Sequence, residues 1–286
     1  MPMNENLASA ARAITGAEAL LVSAGAGMGV DSGLPDFRGR EGFWRAYPPL
    51  ARLGLSFEQM ANPAWFDRDP ELAWGFYGHR LQLYRTAAPH AGFAELLRWT
   101  RAKPGGGFAF TSNVDGHFGR AGFDAGRIVE CHGSIHHLQC VRDCTGAIWP
   151  APEDFDFTVN AETCRAVGGL PSCPHCGALS RPNILMFSDG TWQSCRSEAQ
   201  EQAFAAWLRE RDPARLTVIE LGAGTAVPTV RWQSESLQRA GAALVRINPR
   251  EPEGPRGTLS LATGALAAIQ ALAREMAATI GDPGKS

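Results

Sequence analysis

Short apolar runs alternate along this chain with segments of helical spacing, and this alternation constrains the fold more than any other feature. The apolar runs, which predict strands, are 19–24, 108–111, 127–130, 216–221, 243–247 and 258–261. Helical spacing occurs at 7–15, 71–85, 91–101, 195–211, 230–240 and 264–280. Strands that alternate with helices form a parallel sheet with crossover helices, so we predict an α/β fold.

Two stretches interrupt the alternation and predict a second, smaller domain. Residues 39–70 are rich in aromatic residues, proline and arginine, and residues 135–185 carry four closely paired cysteines with little periodicity. A chain of 286 residues is long enough for about two domains. We therefore interpret both stretches as insertions into the sheet domain.

The composition excludes several classes of protein. The chain has 27 Lys and Arg residues against 29 Asp and Glu residues, so it lacks the positive charge that general nucleic-acid binding needs. No apolar run approaches the ~18 residues of a membrane span, and residues 1–11 do not resemble a signal peptide. We expect a cytoplasmic protein, in which an odd number of cysteines, seven, argues against a disulfide framework. The composition does not indicate an oligomeric state.

The segment 25–33 follows the first predicted strand and contains four glycines. Glycines at such a turn let backbone N–H groups approach a phosphate, and a helix N-terminus adds a favourable dipole. The strict dinucleotide fingerprint has glycine where this chain has Val30, so a tight turn without a ligand is the alternative. Asp36, Phe37 and Arg38 follow, and their acid, ring and guanidinium groups suit a polar, planar ligand with phosphates.

Polar side chains also follow the next two predicted strands. Asn113 and Asp115 lie at a strand end, where open α/β sheets bind ligands, and both side chains can bond ribose hydroxyls or a carboxamide. A helix N-cap is the ordinary alternative for this pair.

His132 alone among the histidines combines a strand end with a flanking glycine, and a neutral imidazole can accept a proton from a hydroxyl. A hydrogen-bonded structural histidine is the alternative.

Two close pairs of cysteines predict a metal site. Three residues lie between Cys140 and Cys144, two lie between Cys173 and Cys176, and 28 residues separate the pairs. Such pairs suit a tetrahedral zinc site, and four thiolates leave no open position for catalysis. We therefore predict one structural Zn²⁺, with four unrelated reduced cysteines as the alternative.

Taken together, these motifs resemble those of the sirtuins. The matching segments, in family order, are 25–27, 33–39, 42–44, 111–116, 131–134, the cysteine pairs, 181–187, 222–225 and 247–249. The resemblance implies a Rossmann-like domain formed by residues 1–38, 86–134 and 186–286. It also implies a small domain made of a helical module, 39–85, and a zinc-binding module, 135–185, with NAD bound in the cleft between the two domains.

The resemblance assigns roles to the matching residues. It implies that NAD is a cosubstrate and that His132 is the general base. The residues that would line the NAD site are Gly25, Ala26, Gly27, Asp36, Phe37, Arg38, Trp44, Ser112, Asn113, Val114, Asp115, Gly222, Gly224, Thr225, Asn248 and Arg250. The glycine turn would contact the pyrophosphate. The segments 36–38 and 113–115 would contact the nicotinamide and its ribose. Gly224, Thr225, Asn248 and Arg250 would contact the adenosine half.

Four departures from the family pattern fall near the expected substrate sites. Gly29 replaces the usual serine, and Ser112 replaces the usual glutamine of the ribose site. Phe187, an expected substrate contact, is followed by Ser188 and Asp189 instead of glycine and glutamate, and the loop 222–228 is shortened. The last two changes lie where family members add the substrate peptide as a strand, so they bear on peptide specificity.

Tyr77 and Arg80 match the Tyr-x-x-Arg pattern of the sirtuin branch that removes negatively charged acyl groups. Side chains three residues apart lie on one face of a helix, and Arg80 there would pair with a distal carboxylate. A packed tyrosine beside a solvated arginine is the alternative. The pattern favours succinyl- or malonyl-lysine over acetyl-lysine.

The hypothesis for function is therefore an NAD-dependent protein-lysine deacylase, acting on acylated lysines of proteins. In the family's reaction, nicotinamide leaves, and the base takes a proton from a ribose hydroxyl to give lysine and O-acyl-ADP-ribose. An ADP-ribosyltransferase or NAD hydrolase using the same pocket is the enzymic alternative, which the Ser112, Ser188 and Asp189 departures keep open. A nucleotide-binding or zinc-scaffold protein is the non-enzymic alternative, against which His132 and Asn113 argue.

Overall fold

A computed structural model describes the backbone of residues 3–35 and 39–281 and the side chains of residues 5–35 and 42–278. Its strands are β1 (Ala19–Ala24), β2 (Gly107–Thr111), β3 (Ile128–Glu130), β4 (Gly133–Cys140), β5 (Ile148–Pro150), β6 (Phe157–Asn160), β7 (Arg165–Gly168), β8 (Ser180–Ile184), β9 (Leu216–Leu221), β10 (Ala243–Ile247) and β11 (Leu259–Leu261). Its α-helices are α1 (Met3–Gly16), α2 (Gly39–Ala46), α3 (Pro48–Arg52), α4 (Phe57–Met60), α5 (Trp65–Arg68), α6 (Pro70–Thr86), α7 (Ala91–Arg101), α8 (His117–Arg120), α9 (Cys195–Arg209), α10 (Thr229–Arg239) and α11 (Ala265–Gly281). The predicted site residues Asp36, Phe37 and Arg38 lie outside the described residues.

The main sheet contains each of the strands that the apolar runs predict. Its order is β11-β10-β9-β1-β2-β3, and every neighbouring pair is parallel. From β1 the chain adds β2 and β3 on one side and later adds β9, β10 and β11 on the other side. The strand order therefore reverses between β1 and β9, and this is the position where open α/β sheets bind ligands. The predicted α/β fold with a Rossmann-like parallel sheet is confirmed.

Helices cover both faces of the main sheet because the side chains of a strand alternate between the faces. Leu20 and Val22 of β1 belong to a core with α1, α7 and α11. Leu21 of β1 belongs to a second core on the other face, where Trp207 of α9 and Val230 of α10 pack. Across the described part of the chain, no helix is both long and apolar enough to cross a bilayer.

The two irregular stretches pack against each other around one aromatic core. β4 pairs with β5 and β8 in an antiparallel sheet, and β6 pairs with β7 in a hairpin. Helix α6 lies against this hairpin at Gly75, where a Cβ atom would come within 2.0 Å of the Cys164 carbonyl oxygen. The indole N–H of Trp74 donates to the Ser180 carbonyl at 2.9 Å. Helix α6 therefore packs against the β6–β7 hairpin and is hydrogen-bonded to the start of β8.

Candidate active site

Two glycine loops meet where the strand order reverses. A Cβ atom on Gly27 would lie 2.7 Å from the Gly222 Cα atom, and one on Gly25 would lie 2.7 Å from the Ala223 Cα atom. Gly222 itself has a φ of +61°, and its carbonyl accepts a hydrogen bond from the Gly27 N–H at 3.0 Å. These glycines therefore allow the loops after β1 and β9 to pack closely, whether or not a phosphate is bound.

A cavity of about 890 Å³ opens beside these loops. This volume lies within the range of about 300–1,000 Å³ that is typical of small-molecule sites. The predicted site residues that line the cavity are Gly25, Ala26, Tyr77, Arg80, Ser112, Asn113, Val114, Asp115, His132, Phe187, Gly224, Thr225 and Arg250. The structure thus brings together residues from α6, from both glycine loops and from the segments that follow β2 and β3.

Several predicted residues lie outside the cavity wall. Gly27 and Gly222 form the loop contact behind it. Asn248 is fully buried, and its Nδ2 atom donates to the Ala223 carbonyl at 2.8 Å, so it shapes the loop after β9. Trp44 lies in α2, where its indole N–H donates to the Leu55 carbonyl at 2.7 Å.

The segment after β2 is fastened to the glycine turn. The Thr111 hydroxyl donates to the Ala24 carbonyl at 3.0 Å, and the Asn113 Nδ2 atom donates to the Gly25 carbonyl at 3.0 Å. Asp115 accepts a hydrogen bond from the His117 backbone N–H at 2.9 Å, but Gly116 is the N-cap of α8, and no side chain caps that helix. Burial raises the pKa of the Asp115 carboxyl, although this hydrogen bond and nearby cations oppose the shift. Asp115 thus has a structural partner as well as a place in the cavity wall.

His132 lies between β3 and β4 and faces the start of α10. Its Nε2 atom is 3.3 Å from the Thr229 hydroxyl, and both residues line the cavity. Burial lowers the pKa of His132, and a hydrogen bond to the Ser112 backbone partly opposes this shift. The imidazole is therefore neutral near pH 7 and can accept a proton. Thr229 was not predicted because 97 residues separate it from His132 and no local pattern links them.

Helix α6 contributes a buried cation to the cavity wall. The Arg80 Nε and Nη2 atoms donate to the Tyr84 hydroxyl at 3.2 and 2.7 Å, and its guanidinium lies over the rings of Phe57 and Phe76. Burial alone would lower the pKa of Arg80, but Tyr84 and Tyr77 raise it above its ordinary value. Arg80 is 6% exposed, so the alternative of a solvated arginine is wrong.

The cysteine pairs converge outside the cavity wall. The Sγ atoms of Cys140, Cys144, Cys173 and Cys176 all lie within 4.8 Å of one another. The separations are 3.7 Å between Cys140 and Cys176 and 3.6 Å between Cys144 and Cys173. A tetrahedron with Zn–S bonds of about 2.3 Å has edges of about 3.8 Å, so four thiolates in this arrangement fit Zn²⁺.

The family profile described as "Sir2 family" matches residues 25–206 of the chain. The chain belongs to the Sir2 family. The predicted resemblance to the sirtuins is therefore confirmed.

Curated relatives of this sirtuin match most of its length. It is 33% identical over 270 residues to the NAD-dependent protein deacylase of Thermus thermophilus, and the match covers 92% of each chain. It is 31% identical over 247 residues to the NAD-dependent protein deacylase of Thermococcus kodakarensis, with 85% of this chain and 84% of the relative covered.

Solved structures of Sir2 homologues share the fold of this sirtuin. A homologue in complex with ADP-ribose is 25% identical, covers 97% of this chain and 99% of its own, and gives a TM-score of 0.68. A homologue in complex with 2′-O-acetyl ADP-ribose is 25% identical, covers 95% of this chain and 97% of its own, and gives a TM-score of 0.68.

Two departures of this sirtuin from the family pattern have visible structural consequences. Ser188 adopts a φ of +57°, a conformation that glycine adopts more readily. Within the loop 222–228, Thr225 donates to the Glu251 carboxylate through its N–H at 3.2 Å and its hydroxyl at 2.5 Å. Glu251 also lines the cavity, and nothing in the motifs pointed to it.

Proposed function

We propose that this member of the Sir2 family is an NAD-dependent protein-lysine deacylase. The observation that carries the proposal is the position of His132, which faces the same cavity as Asn113 and Asp115 and is kept neutral by burial. The curated relatives in Thermus and Thermococcus bear the name of this activity. Family membership supports the use of NAD as the cosubstrate.

The family resemblance assigns roles to the cavity residues, and their positions in one cavity wall support these assignments. The turn at Gly25 and Ala26 would hold the pyrophosphate of NAD, and Gly224 and Thr225 would contact the adenosine half. NAD, when bound, supplies an anomeric carbon whose leaving group is nicotinamide. His132 would accept a proton from a ribose hydroxyl, while the Thr229 hydroxyl helps to orient the imidazole.

The four converging cysteines would hold one structural Zn²⁺. The support is the donor set, which has four thiolates at near-tetrahedral separations and no histidine or water position. The metal would stabilise the antiparallel sheet of β4, β5 and β8. It would take no part in the reaction because the cysteines lie outside the cavity wall.

We further propose that Tyr77 and Arg80 make succinyl- or malonyl-lysine better substrates than acetyl-lysine. The Tyr77 hydroxyl is buried and finds no hydrogen-bond partner among the described residues, and the Arg80 cation lies in the same wall. A distal carboxylate would bond both groups. Hydrogen bonds to charged groups contribute about 1.5–3 kcal/mol, so Arg80→Met should weaken turnover of succinyl-lysine about ten- to a hundredfold and spare acetyl-lysine.

Mass analysis of the products tests the proposed function. The protein is incubated with NAD and an acylated peptide, with His132→Ala as the control. O-acyl-ADP-ribose together with the deacylated peptide is the expected result. ADP-ribose with an unchanged peptide would identify an NAD hydrolase. A protein that gains ADP-ribose would identify a transferase. Either result would overturn the proposal.

A further inference from the structure

A third side chain of α6 faces the same part of the cavity as Tyr77 and Arg80. Tyr84 follows Arg80 by four residues and Tyr77 by seven, a spacing that places all three on one stripe of a helix. This inference rests on the proposed deacylase function. We propose that Tyr84 is a specificity-determining residue, which orients the Arg80 guanidinium and donates a hydrogen bond from its hydroxyl to the distal carboxylate of the acyl group.

The hydrogen bonds from Arg80 leave the Tyr84 hydroxyl free to act only as a donor toward a ligand. Its oxygen accepts from both Nε and Nη2 of Arg80, at 3.2 and 2.7 Å. A phenol oxygen with two such donors has its acceptor capacity filled and keeps one proton to donate. Tyr84 therefore holds one edge of the guanidinium and offers a hydrogen-bond donor polarised by the neighbouring cation.

The hydrogen-bonding character of this part of the wall indicates the charge of its ligand. Arg80 has only donors, Tyr84 has a donor left, and the buried Tyr77 hydroxyl has no partner among the described residues. A carboxylate, which only accepts hydrogen bonds, satisfies all three groups. The methyl group of an acetyl chain accepts no hydrogen bond and leaves the buried Tyr77 hydroxyl without one, which is unfavourable.

The substitution Tyr84→Phe removes the hydroxyl and keeps the ring, so it tests the role of the hydroxyl alone. The ring would still pack against the guanidinium, whose central carbon lies 5.3 Å from the ring centroid. The Tyr84 backbone carbonyl would still accept a hydrogen bond from Arg120, which fastens α8 to the end of α6. The variant should therefore keep the fold and lose only the hydroxyl.

Tyr47 provides a matched control. It is buried, it lies close enough to Arg80 to raise the pKa of that residue, and it lies outside the cavity wall. Its hydroxyl is 3.0 Å from the His79 Nδ1 atom. Tyr47→Phe thus removes a buried hydroxyl from the same aromatic core without touching the proposed acyl site.

The experiment measures KM and kcat for succinyl-lysine and acetyl-lysine versions of one peptide at saturating NAD. For Tyr84→Phe we expect KM for the succinyl peptide to rise about tenfold. Its kcat, the constants for the acetyl peptide and KM for NAD should stay within about twofold. Tyr47→Phe should change the two peptides equally.

An equal loss with both peptides in Tyr84→Phe, or no loss with the succinyl peptide, would overturn the inference. If Tyr84→Phe does not fold, Tyr84→His replaces it, because its ring restores a hydrogen-bonding group and should retain part of the succinyl preference. If Tyr84→His loses turnover of both peptides equally, the inference is overturned as well. Absence of turnover of either peptide by the native protein would overturn the proposed function and this inference with it, whereas acetyl-lysine turnover without succinyl preference would overturn this inference alone.

Discussion

Arg181 and Asp189 form an ion pair that is almost completely removed from solvent. The Nη1 and Nη2 atoms of Arg181 lie 2.8 and 2.9 Å from the two carboxylate oxygens, and the side chains are 1% and 0% exposed. The Asp189 carboxylate also accepts from the backbone N–H groups of Met186 and Thr191 at 3.3 and 3.1 Å. The pair therefore closes the loop that presents Phe187 to the cavity.

Asp189→Asn should lower the free energy of unfolding by about 3–5 kcal/mol, because it leaves the Arg181 cation buried without a counter-ion. Urea denaturation measures the loss. The exposed Asp67 serves as a control, since Asp67→Asn should change stability by less than about 0.5 kcal/mol. The double variant Arg181→Met with Asp189→Leu should recover most of the loss, and unchanged denaturation of Asp189→Asn would contradict the expectation.

Ser188→Gly should raise the free energy of unfolding by about 0.5–1 kcal/mol, because glycine adopts the φ of +57° at this position without steric cost. In a chain of this size, the melting temperature should rise by about 1–4 °C. Ser188→Ala keeps the Cβ atom and should give no gain. A lower melting temperature for Ser188→Gly would show that the serine hydroxyl stabilises the loop.

His132→Ala should lower the rate of deacylation by about 10²–10⁴-fold, because it removes the proposed general base. The dissociation constant for NAD, measured by calorimetry, should stay close to the native value. Thr229→Val keeps the side-chain shape and removes only the hydroxyl near Nε2, so its effect should be smaller. Near-native turnover by His132→Ala would assign the base to another residue.

The pH dependence of kcat/KM should have an acid limb below pH ~6.5, the ordinary pKa of histidine. Burial lowers the pKa of His132, so its neutral, proton-accepting form persists to lower pH than in a free histidine. Below the unfolded-state pKa, an unfolded chain binds the proton more readily than the folded protein, so stability should also fall on that side. A limb centred above pH 6.5 would show that another group governs the reaction.

Removal of the metal should unfold the module that carries the cysteines. Cys173→Ala, or treatment of the native protein with a strong chelator, should release about one zinc per chain, because metal binding and folding are coupled at structural sites. Metal analysis and circular dichroism measure the two effects. Cys195 is exposed and lies outside the cluster, so Cys195→Ser should retain both metal and fold. A folded, active protein without zinc would contradict the assignment.

The main sheet could be predicted because each of its strands is a short, mainly apolar run, and segments of helical spacing separate most of these runs. Residues 91–101, for example, form α7 with the predicted bounds. The helices α2 to α5 and the strands β4 to β8 were not predicted. Most of them have five residues or fewer. An aromatic core that joins distant segments, such as Trp74 and Phe157, stabilises them, so local periodicity does not mark them in the sequence.

The residues of the candidate site also fall into those that the sequence could predict and those that it could not. Asn113, Asp115 and His132 could be placed because they end strands of a parallel sheet, where the carboxyl ends share one edge. Thr229 and Glu251 reach the cavity from other elements, and no spacing in the sequence links them to their partners. Tyr84 is the exception, because its distance of seven residues from Tyr77 already predicts that both lie on one helix face.

The central position of β1 has a consequence for biosynthesis. β1 pairs with β9 along its whole length, from Ala19 with Leu216 to Ala24 with Leu221. The ribosome must therefore synthesise the chain as far as Leu221 before this edge of β1 can pair along its whole length, since domains fold once their strands are available. Until then the nascent chain carries an open apolar strand edge, a feature that promotes aggregation. The two glycine loops obey the same order of synthesis, because Gly27 meets its partner only after Gly222 has been added.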